Sequence, residues 1–216
     1  GRTGRVLYTN VLYWKALQEM SAFADLGLLP EELHCCQEKA TAVRRSIQKQ
    51  FWREDLGYFV TSDQYDMLSS SGNLLSIVWE LATPAQAHSI LDKMNEFGMA
   101  DPVPTKVTHQ EYPDKLIAFE NRFAGIPEYH THAAWMWLGA WHMVALARMD
   151  RLAEADQLWQ KAADLIVRDG VVHEVYGRDG QYLSTFWYTS EAPLTWNAGM
   201  LVFAYHEIER IREEKK

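Results

Sequence analysis

His132 to Met149 reads "HAAWMWLGAWHMVALARM", and Arg151 to Ile166 follows as "RLAEADQLWQKAADLI". Wound as a helix, the first stretch is apolar on every side. The second confines Ala155, Leu158, Trp159, Ala162, Leu165 and Ile166 to one stripe and leaves charged and amide side chains around the rest. A helix that is apolar all round needs protein on every side, whereas a one-stripe helix lies at a surface. With only Asp150 between them, the two stretches form an antiparallel hairpin with an inner and an outer member.

The same pair occurs twice upstream. "NVLYWKALQEMSAFADLGL" is apolar around most of its circumference, and its follower carries Leu33, Cys36, Ala40, Val43, Ile47 and Phe51 on a single stripe. "GNLLSIVWELA" is nearly all apolar, after which Thr83-Pro84 supplies an N-cap and an N1 proline for a stripe of Ala87, Ile90, Leu91, Met94 and Phe97. "NAGMLVFAYHEIERIREEKK" starts a seventh helix and ends in a charged, fraying tail. Inner and outer helices therefore alternate, as two concentric rings of helices require. The fold class expected is all-α, an α/α toroid of which about three and a half hairpins are present in a single domain, 1–216.

The connections are unequal. Inner-to-outer turns are short, around Gly27 to Pro30, Thr83 and Asp150, while outer-to-inner connections are long: Arg53 to Ser71, Gly98 to Thr131, and Gly170 to Trp196. All long loops then gather at one end, before inner-helix N-termini, where long loops in compact domains usually serve function. The last of them sets Glu174 and Glu191 among aromatic residues, a combination suited to sugars: rings stack on pyranose faces and a carboxylate acts on water.

Composition narrows the partners. A net charge of −8 argues against nucleic-acid and anionic-membrane surfaces, and leaves a neutral polar substrate such as a carbohydrate. The cysteines, Cys35 and Cys36, are adjacent and suggest neither a disulfide framework nor a metal site, so a reducing cytoplasm is the expected location. No long uncharged apolar run suggests a membrane span. Gly-rich phosphate loops, zinc-ligand spacings and a serine-nucleophile elbow are missing from the pattern, so no cofactor or metal is expected.

Four segments, taken in order, resemble the six-hairpin α/α-toroid glycosidases, the group of glucoamylases, trehalases, alkaline invertases and debranching-type glucosidases. They are "RVLYTNVLYWKALQEMSAFADLG", "FWREDLGYF", "PEYHTHAAWMWLGAWHMVALARM", and "VHEVYGRDG" followed by "TWNAGMLVFAY". "FWREDLGYF" resembles a hairpin of that family, and the last pair resembles its final active-site segment. The resemblance spans nearly the whole chain.

It implies an inverting glycoside hydrolase with Glu174 as general base, deprotonating a water that attacks the anomeric carbon. A second acid, about 6.5–9.5 Å away across the sugar, would protonate the leaving oxygen. It also implies that Tyr129, His130, Trp135, Tyr176 and Trp196 line the pocket and that Glu191 bonds sugar hydroxyls. This chain departs from the family at Thr131, where the family has Asn; at Met136, where it has Pro; and at Gly177, where it has Asp. The family's general acid lies upstream of the segment that "VLYTNVLYWKAL" resembles, in a hairpin not found here. The expected chain is thus the C-terminal part of a barrel, the base-bearing part only, with little hydrolysis of its own and with self-association covering inner faces around Tyr13, Trp14 and Val202. Asp63 and Asp66, on a long loop, have no motif that would make them substitute acids.

Two other readings fit part of the pattern. A sugar epimerase of the N-acylglucosamine 2-epimerase type would use His130, His132 and His173. A non-catalytic helical interaction module would explain "RLAEADQLWQKAADLI", but inner helices begin near residues 10, 72, 132 and 197, about 60 residues apart rather than at the roughly 34 of a tetratricopeptide repeat.

Overall fold

The computed structural model describes residues 4–215 of the chain. In chain order the helices are α1 (Leu7–Asp25), α2 (Cys36–Phe51), α3 (Ser70–Val78), α4 (Pro84–Glu96), a short α5 (Phe119–Phe123), α6 (Met136–Arg148), α7 (Leu152–Asp169) and α8 (Thr195–Glu214). Five short strands accompany them: β1 (Trp52–Arg53), β2 (Tyr58–Ser62), β3 (Tyr65–Leu68), β4 (Ala134–Trp135) and β5 (Val175–Tyr176).

The helices form two layers. α1, α3, α6 and α8 stand side by side as an inner row, and α2, α4 and α7 each pack on the inner helix that precedes them. Burial follows the hydrophobic pattern. Every residue of α3 but Ser71, and every residue of α6 but Trp137, Trp141 and Arg148, is buried, which no one-faced helix could achieve. α7 buries only the stripe Ala155, Leu158, Ala162 and Leu165. Thr83 caps α4 in a reciprocal pair with Gln86, and Gly170 ends α7 in the left-handed conformation at φ 69°.

The row has two open edges, because α1 and α8 each pack extensively on one inner neighbour. Tyr13 is accordingly 51% exposed and Val202 57%. Trp14, expected on the same open face, is instead buried: successive residues point to different sides of a helix, and Trp14 turns inward, where the Arg44 guanidinium of α2 lies 5.9 Å from its ring centre. Three further details differ from the sequence reading. Leu33 belongs to a 3₁₀ turn, Glu31–Cys35, before α2 begins. The connection after α4 carries α5, which its lack of period concealed. The tail of α8 stays helical to Glu214, since Ile208 and Ile211 are buried and Arg210 pairs with Glu207 and Glu214.

The long connections meet at one end and pair there by backbone hydrogen bonds. Val6 bridges Ser62, β1–β2–β3 form an antiparallel sheet, Ser69 bridges Thr108, Lys106 bridges Ala134, and β4 pairs with β5. This belt runs past the starts of α1, α3 and α6. Asn73, fully buried in the first turn of α3, ties the helix to it: its Oδ1 accepts from the Phe59 N–H at 3.0 Å, and its Nδ2 donates to the Phe59 and Ser69 carbonyls at 2.9 and 3.0 Å. Asn73→Ala leaves those buried backbone groups without their partners, at a cost of about 3 kcal/mol. Urea denaturation is expected to show a lower midpoint at unchanged slope; an unmoved midpoint would contradict the role given to this amide.

Candidate active site

The connection between α7 and α8 is anchored by β5, whose Val175 is buried with Ile126, Ala133, Trp135, Leu138 and Leu183 in a small core of its own. Glu174 immediately precedes β5. Its N–H donates to the Glu191 carbonyl at 2.9 Å, and its own carbonyl accepts from Asn197 Nδ2 at 2.8 Å. Asn197 is fully buried in the first turn of α8, and it also donates to the His173 carbonyl at 2.9 Å and accepts from the Trp137 N–H at 3.1 Å. One amide thus joins the starts of α6 and α8 to the backbone that carries Glu174.

The half-buried side chain of Glu174 is held as firmly. Oε1 accepts from the Tyr129 hydroxyl at 2.8 Å and Oε2 from the Tyr188 hydroxyl at 2.6 Å. The two phenol rings meet edge-on at 5.6 Å and 85°. Tyr129 is fixed in turn by Trp135, whose Nε1 donates to its carbonyl at 3.0 Å and whose ring stands against it at 4.9 Å. Burial first, and then the bond to Glu174, pushes the Tyr129 hydroxyl up to about 12. The same two causes, in the same order, raise Tyr188. Both phenols therefore stay protonated near neutral pH and donate. Each carboxylate oxygen retains acceptor capacity beyond one such bond, so the pair can still take a water.

Of the residues expected at the site, Glu174, Tyr129 and Trp135 come together, with Trp135 buried as a support. His130 lies exposed beside them, its ring parallel to Trp135 at 6.1 Å and 8°. Trp196 is 55% exposed and stacks on Trp137 at 5.2 Å. The Glu191 side chain is exposed, and its contribution to Glu174 is through its carbonyl. Tyr176 does not face the opening: it is fully buried and its hydroxyl donates to Asp169 at 3.0 Å. Val175 points into the small core beside Trp135, whereas Tyr176 enters the main core beneath the helices.

Two contributors went unrecognised in the sequence. Tyr188 sits among Phe186 and Trp187 in a loop without period, where nothing distinguishes one ring from the next. Asn197 falls inside the quoted "TWNAGM" but is an unremarkable polar residue until its three bonds are seen. A Cβ at Gly177 would lie 3.0 Å from a Leu183 methyl and 3.1 Å from Asp179 Oδ1, so the family's Asp would need these two side chains to give by a few tenths of an ångström. Asp63 is occupied by Arg5, whose N–H it accepts at 3.1 Å.

The phenol cradle has a pH signature. A hydroxyl raised from 10.0 to about 12 in the fold favours the neutral form, so the stability it contributes is complete below pH 10 and is lost as pH rises toward 12. Tyrosinate absorbance titration of Glu174→Gln is expected to show ionisation moved to lower pH than in the parent, because the charge and the carboxylate acceptor are gone while burial remains. Superimposable curves would contradict the pairing.

No protein-family model and no curated protein sequence matches the chain. Solved structures do. A rhamnosidase from Klebsiella oxytoca with rhamnose bound aligns over 94% of this chain and 34% of its own, at TM-score 0.64 and 14% identity. A mannosylglycerate hydrolase from Thermus thermophilus, in complex with Tris and D-glycerate, aligns over 93% of this chain and 45% of its own, at TM-score 0.67 and 15% identity. The neutral trehalase of Saccharomyces cerevisiae aligns over 94% of this chain and 38% of its own, at TM-score 0.61 and 14% identity. The chain spans less than half the length of these structures. All three are six-hairpin α/α-toroid glycosidases, and the fold of this chain is that of part of their toroid.

Proposed function

We propose that Glu174 is the general base of an inverting glycoside hydrolase acting on an α-glucoside or related oligosaccharide, and that residues 1–216 form one domain, the C-terminal part of an (α/α)6 barrel. The observation that carries this reading is a carboxylate whose two oxygens are each bonded to a phenol that stays protonated, at the end where the long loops converge. Fixed in this way, the carboxylate can orient a water, take its proton and direct the oxygen at the anomeric carbon from the side opposite the leaving group. Exposed His130 and Trp196 would meet the sugar by hydrogen bonding and stacking, and the Glu191 carboxylate would bond its hydroxyls. The acid that protonates the leaving oxygen would come from helices that complete the ring. Until they do, the exposed faces of α1 and α8 favour self-association.

Histidine-based epimerisation is less well supported. His132 and His173 each bury Nδ1 without a hydrogen-bond partner, and His173 lies flat on Tyr182 at 4.0 Å.

A substrate whose leaving group departs without help from an acid isolates the role of the base. The chain is expected to turn over α-glucosyl fluoride with the β-anomer as first product, while ordinary glucosides react slowly for want of the acid. Glu174→Gln is expected to lower kcat by about 10²–10⁴-fold with little change in KM, and Glu38→Gln, an exposed acid on α2, to leave it unaltered. Equal rates in Glu174→Gln and the parent, no turnover of the fluoride by the parent, or an α-anomer as first product would contradict the proposal.

A further inference from the structure

Four large aromatic side chains stand in the open beside this site: Phe119 is 75% exposed, Phe123 63%, Phe186 87% and Trp187 65%. They come from two connections far apart in sequence, yet they form one strip. Phe119 and Phe123 lie 6.2 Å apart and within 28° of parallel; Phe123 and Trp187 lie 5.8 Å apart and within 27°; Phe186 meets Trp187 edge-on at 4.6 Å. Although the neighbouring rings stack, exposures this high leave most of each side chain in contact with solvent.

The strip is preset. Thr185 Oγ1 donates to the Ala124 carbonyl at 2.6 Å and accepts from the N–H groups of Trp187 and Tyr188 at 3.2 and 3.1 Å, which clamps the two halves together. Gly125, at φ 74°, lets the chain turn against Thr185, whose methyl would be 3.4 Å from any Cβ there. The strip is also continuous with the site: the residue after Trp187 is Tyr188, whose hydroxyl is 2.6 Å from Glu174.

We infer that this strip is a stacking platform for a neutral oligosaccharide, holding the sugar units beyond the ring that Glu174 acts on; the inference rests on the reading of Glu174 given above. Four clustered rings with most of their surface in water make an exposed apolar patch of the kind that marks a binding surface. Composition identifies the ligand. The open edges of the helix row mix aliphatic and aromatic residues, with Leu12, Met20 and Phe23 on α1 and Val202 and Phe203 on α8, as a protein contact does. The strip has rings alone. Flat π-faces, negative at their centres, complement the C–H faces of pyranoses, whose hydrogens carry partial positive charge. Successive near-parallel rings suit successive sugar units, and a net charge of −8 favours a neutral chain over an acidic one. An enzyme so equipped takes a chain of several sugars in preference to a disaccharide.

The full chain is titrated with maltotetraose, cellotetraose, mannotetraose and xylotetraose, and with the corresponding monosaccharides, by isothermal calorimetry. At least one tetrasaccharide is expected to bind about tenfold or more tightly than its monosaccharide. Trp187→Ala and Phe123→Ala, exposed positions whose variants should keep the parent's circular dichroism, are each expected to weaken it by roughly five- to tenfold. Leu28→Ala, which removes an exposed apolar side chain elsewhere, should have no effect. The proposal is overturned if no tetrasaccharide outbinds its monosaccharide, or if binding is indifferent to both ring variants. It is equally overturned if Trp187→Ala abolishes self-association in sedimentation or association with phosphatidylcholine vesicles while saccharide binding is unchanged. Failure of the Glu174 reading would appear separately, as fluoride turnover that survives Glu174→Gln.

Discussion

The buried amide of Asn197 is the interaction on which the site depends. A carboxylate in the role proposed for Glu174, aiming a water, tolerates little displacement, and Glu174 sits in a connection with hardly any regular structure of its own. Its position has to come from elsewhere. Asn197 supplies it by bonding the His173 and Glu174 carbonyls while accepting the Trp137 N–H, so that the backbone under the carboxylate is referenced to two inner helices at once. A buried amide left with any of these bonds unmade would be costly.

Asn73 repeats the device two hairpins earlier, joining the first turn of α3 to β2 and to the residue before the helix. In both places an amide in the first turn of an inner helix satisfies backbone groups of the loop that leads into it. The consequence is an end of the molecule built from irregular chain but held by the rigid row beneath. The belt of bridges from Val6 through β5 spreads that rigidity across the loops, and the phenols of Tyr129 and Tyr188 extend it to the carboxylate oxygens.

Helices were legible in the sequence because enclosure and surface exposure leave different periodicities. Periodicity alone marks α6 as inner and α7 as outer, and the capping residues Thr83 and Pro84 mark a boundary. Trp14 shows the limit of such reading, since periodicity says that a helix has two sides but not which neighbour covers each. The candidate base was legible only through the motif around it. Tyr188 and Asn197 were not, because their roles depend on contacts across 14 and 23 residues that carry no periodic signal. Tyr176 looked like a pocket residue for the same reason: its burial in the main core and its bond to Asp169 are contacts that carry no periodic signal.

The sharpest test addresses Asn197 itself. In the nuclear Overhauser spectrum of the labelled chain, the side-chain amide protons of Asn197 should show contacts to the backbone of His173 and Glu174 and should exchange with solvent slowly. An amide that exchanges within the dead time and shows no such contacts would mean that Glu174 is not held by the helix row, and the site described above would lose its foundation.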